Sequence, residues 1–183
     1  LAQHTDSEED GETYAHCSSE FFMTVTISLS ADVINRLDLS PVQTVIDGLI
    51  QQGAIASHEQ QLQLQIDYPR EPDDPRELSE ISEIRLWFLR LDARYPWFLF
   101  LLDWKAGELA RYTGMLVPHQ FHPKDGIQYN PEALELFVMQ KVFVLEHWLR
   151  QQGFEGNSRL KSMAQLLGYD LEDNFFELLR NPY

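Results

Sequence analysis

Met115–Leu149, MLVPHQFHPKDGIQYNPEALELFVMQKVFVLEHWL, joins a His- and Pro-containing hairpin-like loop to a long helix with more apolar circumference than one core contact needs. Asp125–Gly126 offers a tight turn, and Met115–Val117 reads as a short strand leading into the loop. Asn130 is a good N-cap, Pro131 fits the first helical position, and Glu132 and Glu135 favour the positive end of the dipole. At about 100° per residue, Leu134, Phe137, Val138, Val142, Val144, Leu145, Trp148 and Leu149 cover one wide face. Leu136, Met139 and Phe143 form a narrow second stripe opposite, among Glu132, Glu146, His147 and Arg150. Two apolar faces need two partners: the domain's own core, and either a further layer of this domain or another protein. Lys141 points into the middle of the wide face. Its stem can pack while the ammonium snorkels out or pairs with a buried acid; the alternatives are a charged interface contact or a pKa-shifted base.

Three runs carry a resemblance: LVPHQF at 116–121, GIQYNPEALELFVMQKVF at 126–143 and RLKSMAQLLGYDLEDNFFELL at 159–179. Together they resemble the chlororespiratory reduction 6 family of cyanobacteria and chloroplasts, over about Met23–Tyr183. The resemblance implies a maturation factor for NdhI, the iron–sulfur subunit of the photosynthetic NDH-1 complex, acting during assembly of the hydrophilic arm. It is an overall pattern, and it supplies no catalytic, cofactor or metal residues.

Working outward, the N-terminal 22 residues carry six acids and no Lys or Arg, and then Met23 precedes an ordered pattern at once. The expectation is a disordered acidic extension over 1–22, with Met23 as a natural start, and a single globular domain over 23–183; a true acidic tail is the competing view. The whole chain has 29 acids against 14 bases, a formal charge of −15; without the six it has 23 against 14, about −9. Either balance disfavours nucleic acid, whose phosphates demand a basic surface, and fits a basic protein partner better. No apolar run approaches the roughly 18 residues that span a bilayer, so stable membrane insertion is not expected. The expected location is cytoplasmic, or the stroma in plastid relatives. The only cysteine is Cys17 in the leader, so the body can hold no cluster through thiolates and would have to hold a polypeptide instead.

Thr24–Leu29 and Gln61–Tyr68 alternate in the manner of half-buried strands, and the alternation predicts Val25, Ile27, Leu62, Leu64 and Ile66 inward together. Ser30 can cap a short helix through Leu37. Ser40–Pro41 opens an amphipathic helix with Val42, Val45, Ile46, Leu49 and Ile50 on one face, closed by Gly53. The segment around EIRLWFLRLD reads as helix or strand, and Asp103–Gly114 as a helix bearing Leu109 and Tyr112. Asn157–Ser158 starts a short helix ended by Gly168, and Asp170 starts a last one with Leu171, Phe175, Leu178 and Leu179 on one face. The predicted fold is α+β: one domain with a small antiparallel or mixed sheet from segments near 24–29, 61–68 and 115–129, and helices dominated by 131–152. A mainly helical bundle with one hairpin is the alternative.

Trp87, Phe88, Tyr95, Trp97, Phe98, Phe100 and Trp104 concentrate in one window, which reads as core or as an aromatic groove. His119 and His122 form an H-x-x-H pair that would need a third ligand, from Asp125, Glu146 or His147, to hold a metal. No phosphate loop, dinucleotide motif, His-Glu-x-x-His or nucleophile elbow appears. The expectation is therefore a non-enzymatic protein with no catalytic, cofactor or metal residues. Candidate partner-binding residues are Trp97, Trp104, His119, Phe121, His122, Leu136, Met139 and Phe143. The alternatives are a metal-dependent enzyme using His119 and His122, or a permanent structural subunit of a larger complex. The stripe of Leu136, Met139 and Phe143 leans towards core, because short helices follow directly in the chain.

Overall fold

The computed structural model describes residues 24–180; the acidic leader lies outside them. Strand β1 (Val25–Ser30) runs straight into α1 (Ala31–Asn35), with the Ser30 hydroxyl accepting from the Val33 N–H. Helix α2 (Ser40–Gln51) begins at Ser40–Pro41, but its start is held from two residues upstream: the Ser40 N–H and hydroxyl each donate to the Asp38 carboxylate at 2.9 Å. Those donors hold the Asp38 carboxyl below its ordinary range. Gly53 ends the segment in the left-handed conformation.

Strand β2 (Leu62–Asp67) pairs with β1 in parallel, in the register Val25↔Leu62, Ile27↔Leu64 and Leu29↔Ile66. Both strands send their alternate apolar residues inward, as their sequence pattern predicts. The other edge of β2 is occupied by non-strand groups. Leu62 exchanges backbone bonds with Leu101 and Asp103, and an Arg111 guanidinium nitrogen donates to the Leu64 carbonyl at 2.8 Å. The sheet therefore stops at two strands.

The ambiguous segment is helix α3 (Ser82–Arg94), entered through a 3-10 turn at Leu78–Glu80 with a capping box between Glu77 and Glu80. Trp87, Phe88 and Leu91 on α3 are buried, as are Phe98–Leu102, the segment that follows it. Helix α4 (Glu108–Leu116) starts after Gly107 and runs further than its sequence suggests. Met115–Leu116 closes this helix instead of opening a strand, since the Val117 N–H still bonds the Thr113 carbonyl and Met115 packs in the core.

Strands β3 (His119–His122) and β4 (Gly126–Tyr129) form an antiparallel hairpin, separate from the first sheet. One three-segment sheet is therefore replaced by two two-stranded ones. Gly126 takes the positive φ of the turn. Asn130 then caps α5 (Pro131–Gln151) by accepting from the Ala133 N–H at 2.9 Å. Helices α6 (Asn157–Leu166) and α7 (Asp173–Arg180) complete a single core. On α7 the inward face holds Phe176 with Phe175 and Leu179, while Leu178 lies outside, so the apolar face is rotated from the expected one. Arg159 on α6 reaches back to Glu59 at 2.7 Å and lies over the Phe100 ring.

Candidate functional site

The aromatic window resolves chiefly into core. Trp87, Phe88, Phe98 and Phe100 are buried, and Trp104, 7% exposed, donates its indole N–H to the Leu99 carbonyl at 2.8 Å. Trp97 is half-buried and stacks on Trp148 of α5, with ring centroids 4.6 Å apart and planes 9° from parallel. As folded, Trp104 presents almost nothing to a partner and Trp97 is only partly accessible.

The hairpin lays one face on α4. His119 and Phe121 on β3 face Tyr129 and Ile127 on β4, and these four are half-buried, while Gln120, His122 and Gln128 are exposed. The contact is close at Gly114, where an added Cβ would come within 3.2 Å of Ile127. Both ring nitrogens of His119 are engaged, one with the Ser79 hydroxyl at 3.0 Å and one with the Val117 carbonyl at 2.9 Å. His122 instead pairs with Asp125 at 2.9 Å on the outer face. Residues three apart on a strand point to opposite faces, so β3 separates the two histidines that a metal site would have to bring together. Among the described residues no three His, Cys, Asp or Glu side chains converge as a metal-ligand set.

On α5 the wide face is core and the narrow stripe is partly open. Leu136 is 72% exposed and Phe143 48%, with Met139 half-buried between them. The expected second layer covers only part of it: the Phe175 ring of α7 lies 6.2 Å from that of Phe143, and Leu136 remains in solvent.

Two charged side chains, Lys141 and Glu108, are buried inside the molecule. Lys141 is fully buried and ion-pairs with Asp92, which also accepts from the Tyr112 hydroxyl at 2.6 Å. Burial pulls the Lys141 ammonium below its ordinary pKa, and burial and the Asp92 charge push Tyr112 well above its own. The second group is Glu108 at the start of α4, which sequence reading passed over. It is 5% exposed, and burial raises its carboxyl pKa although the Arg111 charge acts the other way. An E-x-x-R pair at a helix start reads as an ordinary surface ion pair, so nothing in the sequence marked it.

These features define a helix-rich α+β protein that locks polar groups into structural pairs and leaves apolar side chains of its longest helix on the surface. The chlororespiratory reduction 6 family model matches residues 29–178, and the chain belongs to that family. Membership brings an NDH-related role and an assembly-factor family. No solved structure matches the chain. Among the described residues no helix is long and apolar enough to cross a membrane.

Proposed function

We propose that this protein is a non-enzymatic assembly factor that binds an NdhI-like iron–sulfur subunit of the photosynthetic NDH-1 complex while the hydrophilic arm is assembled, in the cytoplasm or stroma. The observation that carries the reading is the partly open stripe on α5, where Leu136 is mostly in solvent and Phe143 is about half exposed on a helix whose opposite face is core. Exposed apolar side chains aligned on one rigid helix suit docking of an apolar client segment. His122 on the exposed face of the hairpin, the half-buried His119 and Phe121 on its other face, and the half-buried Trp97 are further candidates for contact with the partner. Trp104 would take part only after local rearrangement.

Two further features support a polypeptide client. Residues 24–180 contain no cysteine, so thiolate ligation of a cluster is not available to them. The net charge of the chain favours a basic partner.

Capture from an extract with the tagged protein tests the reading. Recovery of the NdhI-like subunit, with the finished complex depleted of the factor, is the expected result. Failure to bind that subunit in any maturation state overturns it, and co-migration with the finished complex would make the protein a permanent subunit.

A further inference from the structure

Every described arginine side chain donates a hydrogen bond to a carboxylate or a backbone carbonyl, except Arg90 and Arg94. These two stand one turn apart on α3, both exposed. Like charges at this spacing repel. In a chain with 29 acids and 14 bases, an unneutralised arginine pair is an exception. Arg94 lies over the ring of its neighbour Tyr95 at 5.7 Å, which leaves its N–H groups uncommitted.

The pair borders an open cleft of about 680 Å³ between α3 and the turn from α1 to α2, where Arg36 and Leu37 add to the lining. That turn is fixed. The Leu37 and Asp38 N–H groups bond the Ile34 and Val33 carbonyls at 2.9 Å each, and the Trp87 indole donates to the Asp38 carbonyl at 2.7 Å. Leu37 holds a φ of 52°, a conformation that favours glycine. The acids nearby are engaged: Asp32 with Arg36, and both oxygens of Asp38 with Ser40. Asp38 feels the Arg90 charge but forms no ion pair with it, and the charge of Glu83, two turns earlier on α3, acts on Arg76.

Apolar side chains adjoin the pair. Leu86 is 53% exposed and Leu89 47%. At about 100° per residue, Leu86, Leu89, Arg90, Ala93 and Arg94 share an arc of about 140° on the outer side of α3. Uncommitted guanidinium groups match carboxylates in paired hydrogen bonds, and neighbouring leucines can exclude water from them. We infer that this face docks an acidic, apolar segment of a protein partner, its carboxylates on Arg90 and Arg94 and its apolar side chains on Leu86 and Leu89. The competing occupants are the chain's own leader and a second copy. The acidic run of the leader, Asp6–Glu12 (DSEEDGE), has carboxylates but no apolar side chain to cover the leucines. The face selects the opposite charge from the one that the whole molecule attracts, and the inference does not rest on the client-binding reading of α5.

The full chain is titrated at low salt against a labelled helical peptide with glutamates at i and i+4 beside a leucine face, followed by fluorescence anisotropy. Saturable binding is expected, weakened about tenfold or more in Arg90→Gln/Arg94→Gln and in Leu86→Ser/Leu89→Ser. Melting temperatures should be unchanged, because all four side chains are exposed. Absence of saturable binding, or undiminished binding in either variant, overturns the inference. So does equal binding of a peptide with lysines for its glutamates or serines for its leucines, a comparison that holds even if a variant folds poorly. Replacing Asp6, Glu8, Glu9, Asp10 and Glu12 by their amides in the full chain should leave peptide binding unchanged; a tenfold gain would make the leader the occupant and overturn the external partner. Sedimentation should show no self-association that Arg90→Gln/Arg94→Gln abolishes; such association would assign the face to a second copy. Failure here leaves the assembly reading standing, since that reading is tested by capture through α5.

Discussion

The Lys141 ammonium and the Asp92 carboxylate, 49 positions apart in sequence, meet inside the core, and Tyr112 donates its hydroxyl to the same Asp92 oxygen. The Pro96 carbonyl accepts a second bond from Lys141 at 3.3 Å. A lysine in the middle of an apolar helix face is thus explained by a partner on α3, which joins α5 to α3 and α4 through one polar node.

Breaking that node on one side is expected to be severe. Lys141→Ala should lower stability by about 3–5 kcal/mol in urea titration, because Asp92 is left largely buried without its cation. Replacing the three polar groups together, as Lys141→Met, Asp92→Leu and Tyr112→Phe, should recover most of that loss or exceed wild type. A triple variant no better than the single one would show that the node does more than satisfy itself.

The open stripe gives the opposite expectation. Leu136→Ser should change stability by no more than about 0.5 kcal/mol, since its side chain is mostly in solvent. The same change should weaken capture of the client. A large fall in melting temperature would instead assign Leu136 to a contact that the fold makes elsewhere.

Glu108 predicts a pH dependence. Its folded pKa is raised above 4.5, so the folded state holds the proton more tightly than the unfolded chain. Its contribution is fully present below about pH 4.5 and is lost as pH rises through the folded value. Glu108→Gln should therefore show a flatter stability profile from pH 4 upward and be at least as stable as wild type near pH 7. Asp74, held down to about 2 by hydrogen bonds from Arg76, has the reverse sign: its contribution is present above about 3.8 and lost as pH falls towards 2.

Gly156 precedes α6 where an added Cβ would sit 2.4 Å from Leu149 Cδ1. Leu149 is buried in the core, so it can yield only by disturbing its neighbours. Gly156→Ala should cost about 1–3 kcal/mol by thermal or urea unfolding. A neutral result would mean that the α5–α6 junction is loosely packed.

Much of this architecture was legible where the signal is local. Asn130–Pro131 marks the start of α5, and the alternation at Val25–Leu29 and Leu62–Ile66 places those side chains correctly inward. Strand direction was not legible, because alternation is the same for parallel and antiparallel pairs and the direction follows from how the chain crosses over. Met115–Val117 misled because three apolar residues fit a strand or a helix end equally. On α7, Phe176 and Leu178 compete for the inward position, and packing against neighbouring helices decides it. Lys141 was visible as an anomaly by its angle on the helix, but Asp92 was one acid among many. The burial of Glu108 was hidden for a further reason: it is a property of three-dimensional placement and has no counterpart in spacing.

The parallel pairing of β1 and β2 also sets a timetable during synthesis. Val25 pairs with Leu62, 37 positions later, so at about 5–20 residues per second the first strand waits roughly 2–7 s for its partner to be made. Asp92 then waits a further 49 positions for Lys141. Until β2 is translated the nascent chain carries an unpaired apolar strand, and until α5 is translated it carries an unneutralised acid destined for the interior. A factor whose proposed task is to shelter another protein's maturation thus depends for its own core on a helix made late in its synthesis.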